Sequence, residues 1–244
     1  YTANRRLRSE DAYSPDGRHD LRPEYPTIVY TRILKELFPD VPVVLGGIEA
    51  SLRRLTHYDY WQNKLCKCIL CDSHADLIIY GMGERPTLEL CRQLESGLPI
   101  TAIHDIPQTV YLARESEIEG GIRPDDMVLH SHEECLRNKR AQAENFRHIE
   151  EESNNMHVQR ILQAVDGEYV VVNPPSPPMT TEELDAAYDL PYTRLPHPIF
   201  FVKQKTAYEM IKFSVTLHRG CFGGCAFCTI SAHQGKFVVC RSKK

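Results

Sequence analysis

The chain has 244 residues, 42% hydrophobic and 25% charged, with a formal net charge of −4, a balance that suits a soluble globular protein of one large domain or two modest ones. That charge offers no global electrostatic case for nucleic acid and leaves only a local basic patch open, and no apolar run is long enough for a membrane span. The opening YTANRRLRSED is too polar for a signal peptide, and the nine cysteines suit a reducing, cytoplasmic compartment with clustered thiols kept for metal rather than a disulfide scaffold.

The chain begins with Tyr1 rather than Met, so it reads as a segment of a longer protein. Residues 1–23 are an irregular lead-in with a turn signal at SPDG. Apolar residues at 29, 33 and 37, and at 30, 34 and 38, mark one face of a helix over 26–38 that starts at Pro26. VPVVLGG reads as a buried strand closing on Gly46 and Gly47. ADLIIYGMGE repeats the pattern, with turns at Gly81 and Gly83 and a helix over about 86–96. This alternation is the rhythm of an open α/β sheet, which gathers ligands at the carboxyl ends of its strands.

Farther on, TVYLAR and DMVLH are strand-like pieces. Residues 131–165 read as one or two long helices, opened by a capping box of Ser131 and Glu134. EYVVVN is a strand broken by NPPSPP. Thr180 and Glu183 cap a short helix to about Tyr188, LPYTRLPHPIF is an extended connector, and MIKFSVTLHRG alternates as a strand that runs into the next motif.

That motif is RGCFGGCAFC, with Cys221, Cys225 and Cys228 in a C-x3-C-x2-C array. Thiolates bind zinc, copper(I) or iron–sulfur clusters. Structural zinc takes four protein ligands, and Cys240 or His233 could supply the fourth. Alternatively, three thiolates on a [4Fe–4S] cube leave one iron open for a small molecule. The glycines at 220, 223 and 224 would let the backbone wrap a bulky cluster.

C-x3-C-x-aromatic-C after a strand resembles the signature of radical S-adenosylmethionine (SAM) enzymes. Together with VPVVLGGIEASLRR, HYDYW, NPP, TTEELD, LPYTRLPHP and AYEMIKFSV, it is similar to the YgiQ-type radical SAM proteins over nearly the whole chain. The resemblance implies a [4Fe–4S] cluster on Cys221, Cys225 and Cys228, whose open iron chelates SAM. Reductive cleavage would then yield a 5′-deoxyadenosyl radical, with Phe227 beside the adenine. It also implies an electron donor such as flavodoxin or ferredoxin, and a substrate, small-molecule or otherwise, that no residue here identifies.

The implied fold is α/β. Residues 1–105 would be part of a cobalamin-binding-like region, 106–205 a helical and proline-rich connector, and 206–244 the first strand and cluster loop of a truncated radical SAM barrel. The chain alone is therefore expected to be inactive, and its loop to depend on the rest of the barrel for order. Cobalamin is disfavoured by the lack of a D-x-H-x-x-G motif for a lower histidine ligand. The four glycines read as plain strand-end turns, with a repurposed nucleotide-like pocket as the alternative.

Two other groups stand out. Cys66, Cys68 and Cys71, with His74, could bind metal but read as small hydrophobes on a strand. Arg53, Arg54, His57, Asp59 and Trp61 could hold an anion or form a salt-bridged helix end; the reading leans to the site role.

Overall fold

The computed structural model describes residues 4, 6, 9, 11, 14, 17–193, 195, 213–225 and 227–243. Nearly half of the expected lead-in, residues 194 and 196–200 of the LPYTRLPHPIF connector and the first three residues of MIKFSVTLHRG lie outside the described residues. The chain divides into two compact units. One comprises residues 27–178 and 220–238, the other 1–26, 179–219 and 239–244.

The larger unit is α/β, as expected. Helix α1 (Pro26–Leu37) precedes strand β1 (Val44–Leu45), helix α2 (Gly47–Leu52), the hairpin β2 (His57–Asp59) and β3 (Lys64–Cys66), helix α3 (Ile69–Ser73), strand β4 (Leu77–Ile79) and helix α4 (Glu84–Glu95). Strands β5 (Thr109–Ala113) and β6 (Met127–Leu129) follow, then helices α5 (His132–Arg137) and α6 (Lys139–Glu152), and strands β7 (Ile161–Val165) and β8 (Glu168–Val172).

Six of these strands form one sheet in the order β1-β4-β5-β8-β7-β6. Strands β1 and β4 are parallel, as are β6 and β7, while the three central pairings are antiparallel. The parallel rhythm therefore holds only at the two edges of the sheet, β1 with β4 and β6 with β7. Residues 106–178, expected to be connector, supply four of the six strands. Their apolar runs pair within the sheet, so no structural break falls at 105/106.

The helix expected to reach residue 165 ends at Glu152, and Ile161–Val165 is a strand. Asp166 and Gly167, with φ of 50° and 84°, make the two-residue turn that joins β7 to β8. Only residues with φ > 0 at both central positions match this turn to the strands' twist.

Apolar residues alternate along the strands and bury both faces of the sheet. Leu77, Ile79, Tyr111, Leu162 and Val171 pack with Leu90 of α4 on one face. Ile78, Val110, Ile161, Val170 and Val172 pack with Ala50, Ile69 and Leu70 on the other. Helices thus cover a two-sided sheet in three layers. One salt bridge is sunk beside it: Arg160 meets Asp126 at 2.6 Å, with both side chains at most 7% exposed. Burial opposes the charge of Asp126. The hydrogen bonds from Arg160 and the Arg123 amide outweigh it and hold the carboxyl below its ordinary range.

Helix α1 forms as expected, but its stripe is not the buried face. Ile28 packs on the core and Thr31 is buried, while Ile33, Leu34, Leu37 and the following Phe38 are exposed.

In the smaller unit, helix α7 (Thr181–Tyr188) carries the expected capping box, with Thr180 and Glu183 each accepting the other's amide. Strands β9 (His218–Arg219) and β10 (Val239–Cys240) pair antiparallel. Among the described residues before the cysteines, only His218 and Arg219 are strand, so the longer strand expected there is not formed over 213–217. Arg219 and Arg241 lie 5.1 and 4.6 Å from the Tyr188 ring centre, and Arg241 also donates to Asp185 at 3.2 Å.

Candidate metal centre

Residues 220–238 form a loop whose two ends are tied together. The Cys221 amide donates to Gly235 O at 3.0 Å, and the Gly220 amide to Gln234 Oε1 at 3.2 Å. Gly220 has φ of 86°, and a Cβ there would stand 2.2 Å from the Phe237 carbonyl oxygen. Only glycine allows this approach, because the obstacle is backbone and the conformation is left-handed. The Cys228 amide closes a turn on Cys225 O at 3.0 Å.

Within this loop Cys225 is exposed, and Cys221 and Cys228 are half-buried. A Cβ on Gly223 would lie 3.4 Å from Cys221 Sγ and 3.9 Å from Cys225 Sγ, in ordinary contact with both sulfurs. Among the described residues no three His, Cys, Asp or Glu side chains stand together as a ready-made metal site. The chemistry of the donor set is nevertheless that of an iron–sulfur cluster: three thiols, one exposed and two half-buried, on a glycine-rich loop. Phe227 is 90% exposed, free to meet a flat ligand.

The loop is also anchored to the sheet. After Cys228 it forms helix α8 (Ile230–Gln234), whose His233 Nδ1 lies 2.9 Å from Ser51 Oγ in α2. Gly81 donates its amide to the same oxygen at 2.9 Å, and a Cβ on Gly81 would meet His233 O at 3.2 Å. Lys236 Nζ bonds Glu150 in α6 at 2.9 Å. The loop therefore has its own seat on the α/β unit, a tether to local structure that the sequence reading did not include.

That seat lies at the carboxyl ends of β1 and β4, where a ligand of an open α/β sheet would be sought. Here the glycine turns receive α8. Gln108, with φ of 65°, braces the second turn by donating to Tyr80 O at 2.6 Å and Met82 O at 2.7 Å. Ser51, Gln108, Glu150 and Lys236 escaped the sequence reading, because no spacing links residues this far apart. The adjacency of Ser51 to the Gly46–Gly47 turn was the one available hint.

The remaining candidates disperse. Arg53 is paired with Glu49 at 3.1 Å and Asp59 at 3.6 Å. Arg54 stacks 4.8 Å from the Tyr80 ring centre and donates to Ser51 O, and burial lowers its pKa. Burial also lowers that of His57, whose Nδ1 lies 3.1 Å from Leu55 O, and Trp61 meets Tyr60 edge-on. The salt-bridged reading describes Arg53, and the five residues share no anion site in the described geometry.

Cys66 ends β3, Cys68 precedes α3, and Cys71 lies within α3, so they do not share one strand. Cys68 is 1% exposed in the apolar core, as a small hydrophobe would be. Burial pushes the thiols of Cys66 and Cys68 up, while a hydrogen bond from Cys68 holds Cys71 down.

A family model described as radical SAM N-terminal matches residues 1–214, ending before Cys221. A UPF0313 protein of Bacteroides thetaiotaomicron is 66% identical over 255 residues, which cover all of this chain and 41% of that protein. The chain belongs to the UPF0313, YgiQ-type family. UPF0313 proteins of Porphyromonas gingivalis and Geobacter sulfurreducens are 63% and 47% identical over the full chain, which covers 38% and 40% of them. The chain thus spans about two fifths of these curated relatives, and the matches to them run through the cysteine loop. No solved structure matches it. Among the described residues no helix is long and apolar enough to cross a membrane.

Proposed function

We propose that the protein to which this chain belongs is a radical SAM enzyme, with one [4Fe–4S] cluster on Cys221, Cys225 and Cys228. The observation that carries the reading is the loop: three thiols in a family-typical setting, on a glycine-rich turn closed by the Cys221–Gly235 bond. Cys221, Cys225 and Cys228 would hold the cluster, which would supply one-electron reducing chemistry to a bound SAM.

The chain's own residues do the positioning. The Cys228–Cys225 turn fixes the spacing of the last two sulfurs, and Gly220 lets the loop close against Phe237. Phe227 offers its exposed ring to the adenine. The electron comes from a donor such as flavodoxin or ferredoxin in the cytoplasm. Cobalamin has no part in this reading, because the sequence carries no D-x-H-x-x-G motif for a lower histidine ligand.

Anaerobic reconstitution of the full-length protein should give about four irons per chain, and the EPR signal of the reduced cluster should change when SAM is added. Uptake of one zinc and no iron would overturn the reading. Replacing Cys240 by Ser should leave the cluster in place, whereas loss of metal would favour a zinc site completed by Cys240.

A further inference from the structure

Ser51 is the hub of the contact between α8 and the strand ends. A hydroxyl has one proton and two lone pairs. Its oxygen lies 2.8 Å from Gly47 O, 2.9 Å from the Gly81 amide and 2.9 Å from His233 Nδ1. The carbonyl can only accept, so the hydroxyl proton goes to Gly47. The amide can only donate and fills one lone pair. The other is left for a proton on His233 Nδ1. All three capacities of the hydroxyl are then used, and the tautomer of neutral His233 is set, with its lone pair on Nε2.

We propose that Ser51 and His233 are a positioning pair that seats the cysteine loop on the carboxyl ends of β1 and β4. Both glycine turns take part, Gly47 as acceptor and Gly81 as donor, so one hydroxyl joins the two strand ends to the helix that follows Cys228. Gly81 also allows the close approach of the His233 carbonyl, where a Cβ would intrude at 3.2 Å. The Lys236–Glu150 bond holds the loop's outgoing end to α6. In this role the glycine turns are a dock for the protein's own helix, and the α/β unit sets where the sulfurs stand. The consequence for the cluster rests on the reading given under the proposed function.

The test separates the pair from the cluster. An asparagine amide reaches about where Nδ1 stands, and a glutamine amide about where Nε2 stands. In metal-free full-length protein, His233→Gln should raise hydrogen exchange over 229–238 about tenfold, while His233→Asn should stay near wild type. Ser51→Ala should match His233→Gln, and the double variant should be no worse than either. Amides of β5 and β8 serve as the control for folding. Equal exchange in all variants, or strictly additive effects, overturns the pair whatever the loop binds. In reconstituted protein, His233→Gln should lose iron to a chelator several-fold faster than wild type, with His233→Asn unchanged. Equal rates overturn the positioning role. If wild type takes up no iron, the cluster reading fails, and the exchange result still decides the pair.

Discussion

Cys66, Cys68 and Cys71 lie within six residues, and Cys221, Cys225 and Cys228 within eight. The first group is built on a strand end and a short helix that pack into the sheet, with Cys68 in the core among Ile69, Leu70 and Ile78. The second stands on a glycine-rich loop with Cys225 exposed and Cys221 and Cys228 half-buried. Burial pushes the thiols of Cys66 and Cys68 up, while the hydrogen bond from Cys68 holds Cys71 down. Spacing alone makes the two groups look alike. The backbone beneath them differs: Cys68 is core, whereas the later three stand on an open loop and are the proposed ligands.

The sharpest way to break this contrast is to swap the burden. Cys225→Ala should reduce iron from about four per chain to less than one while leaving urea unfolding unchanged. Cys68→Ala should keep the iron. Retained iron in the first variant, or lost iron in the second, would reverse the assignment.

A second test fixes how the core differs from the loop. Asp126→Asn leaves Arg160 buried without its charge partner and should cost about 3–5 kcal/mol in urea unfolding, with iron content unaffected. The folded carboxyl of Asp126 has a lowered pKa. Its stabilisation is therefore present above the unfolded value of about 3.9 and is lost as pH falls toward the folded value. The wild type should lose stability along that acid limb, and the variant should show a flatter one.

Cys68→Ser tests the apolar role directly. A hydroxyl in this site should cost about 1–3 kcal/mol, measured by the urea midpoint, whereas Cys225→Ser should cost nothing measurable in the metal-free protein. The smallest effect belongs to neither group. Thr180→Ala removes the cap of α7 and should cost about 1 kcal/mol, again without touching iron.

Local signals were readable where local physics decides. Pro26 and the apolar spacing marked α1, the β-branched runs before glycine marked β1 and β4, and Thr180 with Glu183 marked the start of α7. Strand β7 was missed because Ile161, Leu162 and Val165 also suit a helix face. The Asp166–Gly167 dipeptide between two apolar runs was the signal that would have corrected it. The buried side of α1 was not legible, since packing and not spacing decides which residues of a stripe are covered. The cysteine loop was legible as a candidate ligand set. Its seat was not, because Ser51 and His233 are 182 positions apart and nothing local in either announces the other.

Gly220 has a consequence for inheritance. Every missense change of a glycine codon adds a Cβ, because glycine alone lacks one. At this position that atom would fall 2.2 Å from the Phe237 carbonyl oxygen. No mild allele is available: alanine and arginine meet the same obstacle at the first carbon. A library of single substitutions across the gene should therefore show this codon intolerant as a whole, whereas at the neighbouring Gly224, where nothing stands within 4 Å of a Cβ, the small residues should survive.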